Sequence, residues 1–328
     1  FGENNVLLTE DTFSQPIKYT QLNMEIDALH TPQGWQISSD NIWLDNKELT
    51  LAAEMKVSLG EQSRLDLYAE IYAPDASIAG HYFPLPVMSE NLVSYLNGAT
   101  KQGELTQAQV LFSGPLSGFP FTDNSGQFEV LAQIDNATYQ FTPDWPSVTQ
   151  ASAKLHFENE RMDIYTQQGQ LVNLAVGNGV HVSIADLMNA DILSVKIKKR
   201  ADAQSLLPFF EATPLEQPLA NVFSVIQGQG SANADIELTV DLNELNVNAK
   251  GVVTLKDMPI YLAQPGIQLS AVNGRLYFND DHVALKSASA NWLGMPIKFD
   301  FDGKNIGETY RGEINIIAQI NAETLITE

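Results

Sequence analysis

The sequence predicts a mostly β protein of antiparallel strands, each with one apolar face, relieved by two or three short helices. Three observations carry this. Apolar and polar residues alternate with period two in many segments, which puts successive side chains on opposite faces of a strand. Turn-forming clusters separate the segments: Pro32-Gln33-Gly34, Asp123-Asn124-Ser125-Gly126, Gly177-Asn178-Gly179 and Asn279-Asp280-Asp281. Strands and helices do not alternate in the manner of a parallel sheet.

The alternation is clearest at 64–73, where Leu65, Leu67, Ala69, Ile71 and Ala73 oppose Arg64, Asp66, Tyr68, Glu70 and Tyr72. At 127–135, Phe128, Val130, Ala132 and Ile134 share a face. At 232–242, Ala232, Ala234, Ile236, Leu238, Val240 and Leu242 do so, and at 312–320 Ile314, Ile316, Ala318 and Ile320. The same pattern runs through 22–29, 48–59, 105–112, 151–157, 247–255, 274–278 and 295–301. Residues 87–97 instead place Met88, Leu92, Tyr95 and Leu96 on one helical stripe, with Gly98 as its cap. A short apolar turn or helix is expected at 203–210, ending near Pro208. Thr213-Pro214-Leu215-Glu216 reads as a capping box opening a helix through Leu219, Val222, Phe223 and Ile226 that Gly228 ends. The chain divides into N-terminal strands (1–80) and two blocks of helix plus β-hairpin (81–200 and 201–328), expected to share one continuous sheet. An internal repeat aligns 139–176 with 261–297: Leu155, Phe157, Met162 and Ile164 match Leu276, Phe278, Val283 and Leu285.

Composition narrows the function. The 328 residues carry a formal net charge of −22, which argues against a nucleic-acid partner and against adsorption on anionic headgroups. There is no cysteine, hence no disulfide or thiol nucleophile. No apolar run is long enough to span a bilayer. The first residue is Phe1, and the chain reads as a piece of a longer protein. The histidines His30, His81, His156, His181 and His282 show no metal-ligand spacing. No nucleophile elbow, phosphate loop or dinucleotide fingerprint occurs; Gly228-Gln229-Gly230 lacks a third glycine and follows the expected helix. The acidic turns at 123–126 and 279–281 could hold calcium, but such turns recur for backbone reasons alone. Trp35, Trp43, Trp145 and Trp292 are expected to pack against strands rather than stack sugars. Neither enzyme, cofactor nor metal is indicated.

Several segments together resemble one family, the YhdP family of AsmA-like bacterial proteins. They include Tyr82-Phe83-Pro84, Tyr95-Leu96, Gly114-Pro115-Leu116, Phe119-Pro120-Phe121, Gly126-Gln127-Phe128, and Tyr139 with Pro143, Trp145 and Pro146. The Leu-Leu to Gly-x-Gly stretch at 205–242 and the segment from Asn273-Gly274 to Leu293-Gly294 extend the likeness. The resemblance implies a middle segment of a protein anchored in the inner membrane of a Gram-negative bacterium. Its periplasmic part would be similar to bridge-like lipid-transfer proteins, with an elongated, curved antiparallel sheet forming an apolar groove. It further implies phospholipid traffic to the outer membrane and support of its permeability barrier.

The residues alone leave an open curved sheet and stacked β-sandwiches as alternatives. Alanines recurring on the apolar face (Ala69, Ala73, Ala132, Ala151, Ala153, Ala232, Ala234, Ala318) leave width for a guest. A 16-carbon acyl chain there would gain roughly 10 kcal/mol before ordering costs. The groove candidates are Leu65, Leu67, Ile71, Phe128, Val130, Ile134, Leu155, Phe157, Ile236, Leu238, Val240, Leu276, Phe278, Ile314 and Ile316. Leu238→Asp is expected to weaken lipid capture without unfolding the chain. The expected partners are phospholipid acyl chains and the remainder of the longer chain, including its anchor. The rival readings are a cell-envelope scaffold that moves no lipid and a hydrolase or glycan binder.

Overall fold

The computed structural model describes residues 5–7, 13–83, 85, 88–140, 143–172, 174–213, 226–244, 246–263, 266–279, 281–306 and 309–318. It is 67% strand. One long antiparallel sheet of about 19 strands runs from Gln21–Met24 to Thr309–Ala318. A separate two-stranded sheet pairs Asn5–Leu7 with Ile17–Tyr19. Nearly every strand pairs with its neighbours in sequence, as a meander joined by short turns does. Among the described residues no ladder joins the first strands of this series to Thr309–Ala318. The sheet is therefore open, elongated and curved, and the stacked-sandwich alternative falls.

The alternation predicted from sequence sets the register. Leu44, Leu51, Ile71, Ala108, Ala132, Leu155, Ile164, Val182, Val195, Leu238 and Ala249 are successive cross-strand partners. One row of apolar side chains thus crosses eleven strands. A slip of one residue anywhere would throw that strand's apolar set into water.

Two trains of β-bulges interrupt the ladders. The first crosses Thr100–Pro115, Gln127–Tyr139 and Val148–Glu158; the second crosses Val247–Leu262, Ile267–Asn279 and His282–Trp292. A bulge bends its strand and increases local twist, so bulges aligned on neighbouring strands bend the sheet along a line. The trains also bear on the internal repeat. The left-handed residues Asn136, Gln150 and Val172 of the first block correspond to Asp257, Ala271 and Leu293 of the second, each pair 121 positions apart.

The bulges account for what the alternation misses. The strand Gly34–Asp45 changes phase between Ser39 and Ile42, and His282–Trp292 changes phase at Ser287. Strands expected at 105–112, 247–255 and 274–278 continue through their bulges to Thr100–Pro115, Val247–Leu262 and Ile267–Asn279. Arg161–Leu171, Val180–Ile184 and Ile192–Asp202 are strands as well.

Two α-helices lie among the described residues, both short. The first, α1 (Glu90–Ala99), is capped by the Ser89 hydroxyl, which accepts from the Leu92 amide. Gly98 lies inside it, and Thr100 is the cap. The second, α2 (Leu206–Glu211), contains Pro208 in its first turn, where no intrahelical amide is lost. The helix expected after Thr213 falls at 214–225, outside the described residues. Ile226–Gly228 is a strand on Ile260–Leu262, so Gly228 ends no helix there and Gly228-Gln229-Gly230 follows a strand.

The polar face is laced with side-chain pairs. On it, Arg161 donates twice to Asp163, at 2.5 and 2.8 Å, and His181 lies 2.6 Å from the same carboxylate. Trp35 and Trp43, expected to pack, are 48% and 41% exposed, while Trp145 is buried.

Two outcomes test this fold. Leu293 is exposed and left-handed in the two-residue turn Leu293-Gly294 between Trp292 and Met295, a type I′ position that favours Asn. Leu293→Asn should raise the urea midpoint, by about 0.5–1 kcal/mol in stability. The Arg161 guanidinium, then His181, holds the Asp163 carboxyl below the usual carboxylate range against the opposing effect of burial. The stability this contributes is complete above the ordinary carboxylate value near 4 and is lost as pH falls through the depressed folded value. Asp163→Asn should therefore flatten the acid limb of a pH–stability profile; an unchanged slope would refute the assignment.

Candidate functional site

The candidate site is the apolar face of the sheet, built from alternate residues of nearly every strand. Its exposure divides into regions. In the strands Ser231–Asp241 to Met295–Ile306, Leu238, Val240, Leu276 and Phe278 are buried, and so are Val253, Val283, Leu285, Phe299 and Phe301. In the strands Arg64–Ala73 to Val148–Glu158, the candidates Leu65, Leu67, Ile71, Phe128, Val130, Ile134, Leu155 and Phe157 are only half-buried, as is Ile236 further on. Ile314 and Ile316 pair with Phe301 and Phe299 and continue the face on the last strand, where they are exposed.

The register brings most of these residues into contiguous rows. Ala53, Ala69, Val110, Val130, Phe157, Met162 and Ile184 are successive partners. Farther along, Ala234, Val253, Leu276, Leu285, Phe301 and Ile314 form another row, which Lys199 starts. Alanines meet alanines at Ala53/Ala69, Ala108/Ala132 and Ala137/Ala151. A row of methyl groups leaves the face shallow there, with room beside the larger side chains.

Side chains from outside the strands pack on the face. Leu92, Tyr95 and Ala99 of α1 join Ala137, Trp145, Val148, Ala151, Met162 and Leu171 in one hydrophobic cluster, which reaches Phe209 of α2. The Tyr139 hydroxyl donates to that of Tyr95 at 2.8 Å. Burial pushes Tyr95 up to about 12 and Tyr139 well above the usual tyrosine range, so both remain neutral and bring no charge to the face. Beyond the hairpin end at Pro115, Phe112, Phe119, Phe121 and Phe128 form an aromatic cluster with centroids 5.2–6.4 Å apart. Phe121 is buried against Gly114 and Gly126, where a Cβ would approach its ring to 2.6–2.7 Å.

The sequence reading missed part of this face. Val182, Leu193 and Val195 are fully packed on it, although Val180, Val182 and Ile184 carry a legible alternation. Of the phenylalanine cluster, Phe119 and Phe121 were visible only as motif letters. Leu238 is 5% exposed, so Leu238→Asp would bury a carboxylate in packed hydrocarbon and disrupt folding, contrary to expectation. The acidic turn at 123–126 closes on itself, Asp123 accepting from the Ser125 amide. Among the described residues no three metal-ligand side chains converge, and no helix is long and apolar enough to cross a membrane.

No solved structure matches the chain. Over 313 residues it is 29% identical to the intermembrane phospholipid transporter YhdP of Escherichia coli (strain K12), covering 94% of this chain and 24% of that protein. The chain thus spans about a quarter of the length of the curated relative it matches. The model of the YhdP protein family matches residues 1–328. With a one-faced, open antiparallel sheet as its architecture, the chain belongs to the YhdP family.

Proposed function

We propose that this chain is a non-catalytic, periplasmic segment of an inner-membrane-anchored protein that binds or conducts phospholipid acyl chains along the apolar face, between inner and outer membranes, in support of the outer-membrane permeability barrier. The observation that carries the reading is the apolar row running unbroken across eleven strands of an open sheet. A folding core has no need of such length in one direction, whereas a sliding hydrocarbon chain does. The relative's name, intermembrane phospholipid transporter, agrees with it. Acyl chains would lie on the half-buried strands from Arg64–Ala73 to Val148–Glu158, with headgroups held toward water. Each methylene withdrawn from water stabilises the complex by about 0.8 kcal/mol.

The close packing of Leu238, Val240, Leu276 and Phe278 favours a second reading for the strands that carry them, an envelope scaffold with a filled core. Gentle native mass spectrometry of lipid-loaded chain separates the two. Leu67→Asp and Val130→Asp, at half-buried positions, should lower captured phospholipid at least about tenfold, because a carboxylate against hydrocarbon costs several kcal/mol. Lys154→Asp, on the polar face, should leave capture unchanged. Bare polypeptide throughout would overturn the lipid reading and leave the scaffold.

A further inference from the structure

We propose that the opposite, polar face of the sheet holds an anion-binding site, centred on Arg275 and Lys286, that takes a phosphate group. Arg200, Asn233, Thr254, Arg275 and Lys286 are successive register partners across five strands. In a chain of net charge −22, this row carries three cations and no acid.

Arg275 and Lys286 stand directly opposite each other. Like charges in that relation destabilise a sheet. Elsewhere some cations have a close acidic partner: Arg64 has Asp66, Arg161 has Asp163, Lys198 has Asp235 and Lys250 has Glu237. Lys304 also faces a cation, Arg311, but has Asp281 at 3.6 Å. Among the described residues, Arg275 and Lys286 have no such partner. The nearby acids are engaged elsewhere: Asp235 with Lys198 at 3.3 Å, Asp302 with His282 at 3.0 Å, and Asp300 with the Ser287 amide at 2.5 Å.

The surface here is also concave. Two open depressions, of about 710 and 560 Å³, meet at Arg275. The first adds Tyr277, Asn279, His282, Lys286 and Ser287; the second adds Lys198, Lys199, Arg200, Asn233 and Thr254, with one acid, Asp235, that Lys198 pairs. Apart from Asp235, which Lys198 holds, hydrogen-bond donors therefore surround two unpaired cations. A phosphate monoester matches this set. Its charge answers both cations, one edge can accept the planar guanidinium fork, and the remaining oxygens can accept from the lysine and the hydroxyls. A free phosphate and a lipid headgroup present the same group. The site does not depend on the acyl-chain reading, since it lies on the other side of the sheet.

The test titrates the 328-residue chain at low ionic strength with inorganic phosphate, and separately with phosphatidylcholine vesicles with and without phosphatidic acid. Binding of phosphate or of the phosphatidic acid vesicles in excess of phosphatidylcholine alone is expected, weakened at least about tenfold by Arg275→Gln. Response to phosphate assigns a soluble ester; response to the vesicles alone assigns a headgroup. Lys286→Glu guards against a folding artefact, because it creates a favourable cross-strand pair with Arg275. It should abolish binding while the melting temperature holds or rises. Absence of binding to either probe, or equal binding by both variants, overturns the proposal.

Discussion

A sheet whose one apolar face meets, among the described residues, only a two-stranded sheet packed at one end through Ile17 and Tyr19 must hide the rest of that face by bending, and the rest of this structure follows from that constraint. The strands supply the face through their alternation, but alternation alone would make a twisted ribbon, wet on both sides. The bulge trains supply the bend. Each places a residue such as Gln150 or Ala271 in the left-handed region, at a cost of order 1 kcal/mol, and turns the strand across its neighbours. Because two such positions, Asn136/Asp257 and Gln150/Ala271, recur 121 residues apart, with the turn residues Val172/Leu293 at the same spacing, the bend is written into the sequence twice, in register with the hydrophobic match between the two blocks. The helices and the Trp145 segment then pack where the bent face would otherwise stay open.

The sequence made the strand faces legible and left the bending illegible. Period-two alternation is a local property, so Leu65 through Ala73 or Ala232 through Leu242 could be assigned to a face by inspection. A bulge shifts the phase by one residue, and beyond it the same strand reads as noise; that is why Gly34–Asp45 and His282–Trp292 are not among the alternating segments, the latter being visible only through the repeat. Ile192–Asp202 was hidden differently. Its apolar face is Leu193, Val195 and Ile197, after which Lys199 breaks the pattern. The candidate face was legible residue by residue, but its packing was not. Leu67 and Leu238 look alike in sequence and differ in exposure because only the tertiary bend decides what covers each.

Charge is distributed to match. Apart from Lys199 at the start of one row, the apolar face carries neutral groups even where it has hydroxyls, as Tyr95 and Tyr139 show, and the acids lie on the other side, many of them bonded to hydroxyls, amides or guanidinium groups. Ser152 with Asp135, Ser113 with Asp66 and Thr106 with Asp135 are cross-strand examples. Such pairs tie neighbouring strands together on the wet face without closing it. Exposed ion pairs add little stability singly, so their consequence is mainly to set register and keep the face solvated.

The two kinds of exposure along the apolar face have a consequence for how a guest could move. Where Val240, Val272 and Val283 have almost no exposed surface, the face is already occupied by its own side chains, and hydrocarbon could enter only by displacing them. Where Leu67, Val130 and Phe157 are half-buried, surface is ready to be covered. A chain bound at the half-buried strands would meet a packing barrier on reaching the filled ones. A guest on the half-buried strands would in turn have to displace α1, whose Leu92 and Tyr95 lie in the same cluster as Ala137, Val148 and Ala151. Exchanging those contacts for contacts with an acyl chain replaces hydrocarbon by hydrocarbon, so the hydrophobic free energy nearly cancels. What remains is the loss of the specific packing and the Ser89 cap, a cost of order 1 kcal/mol for the cap, small beside the burial a lipid brings.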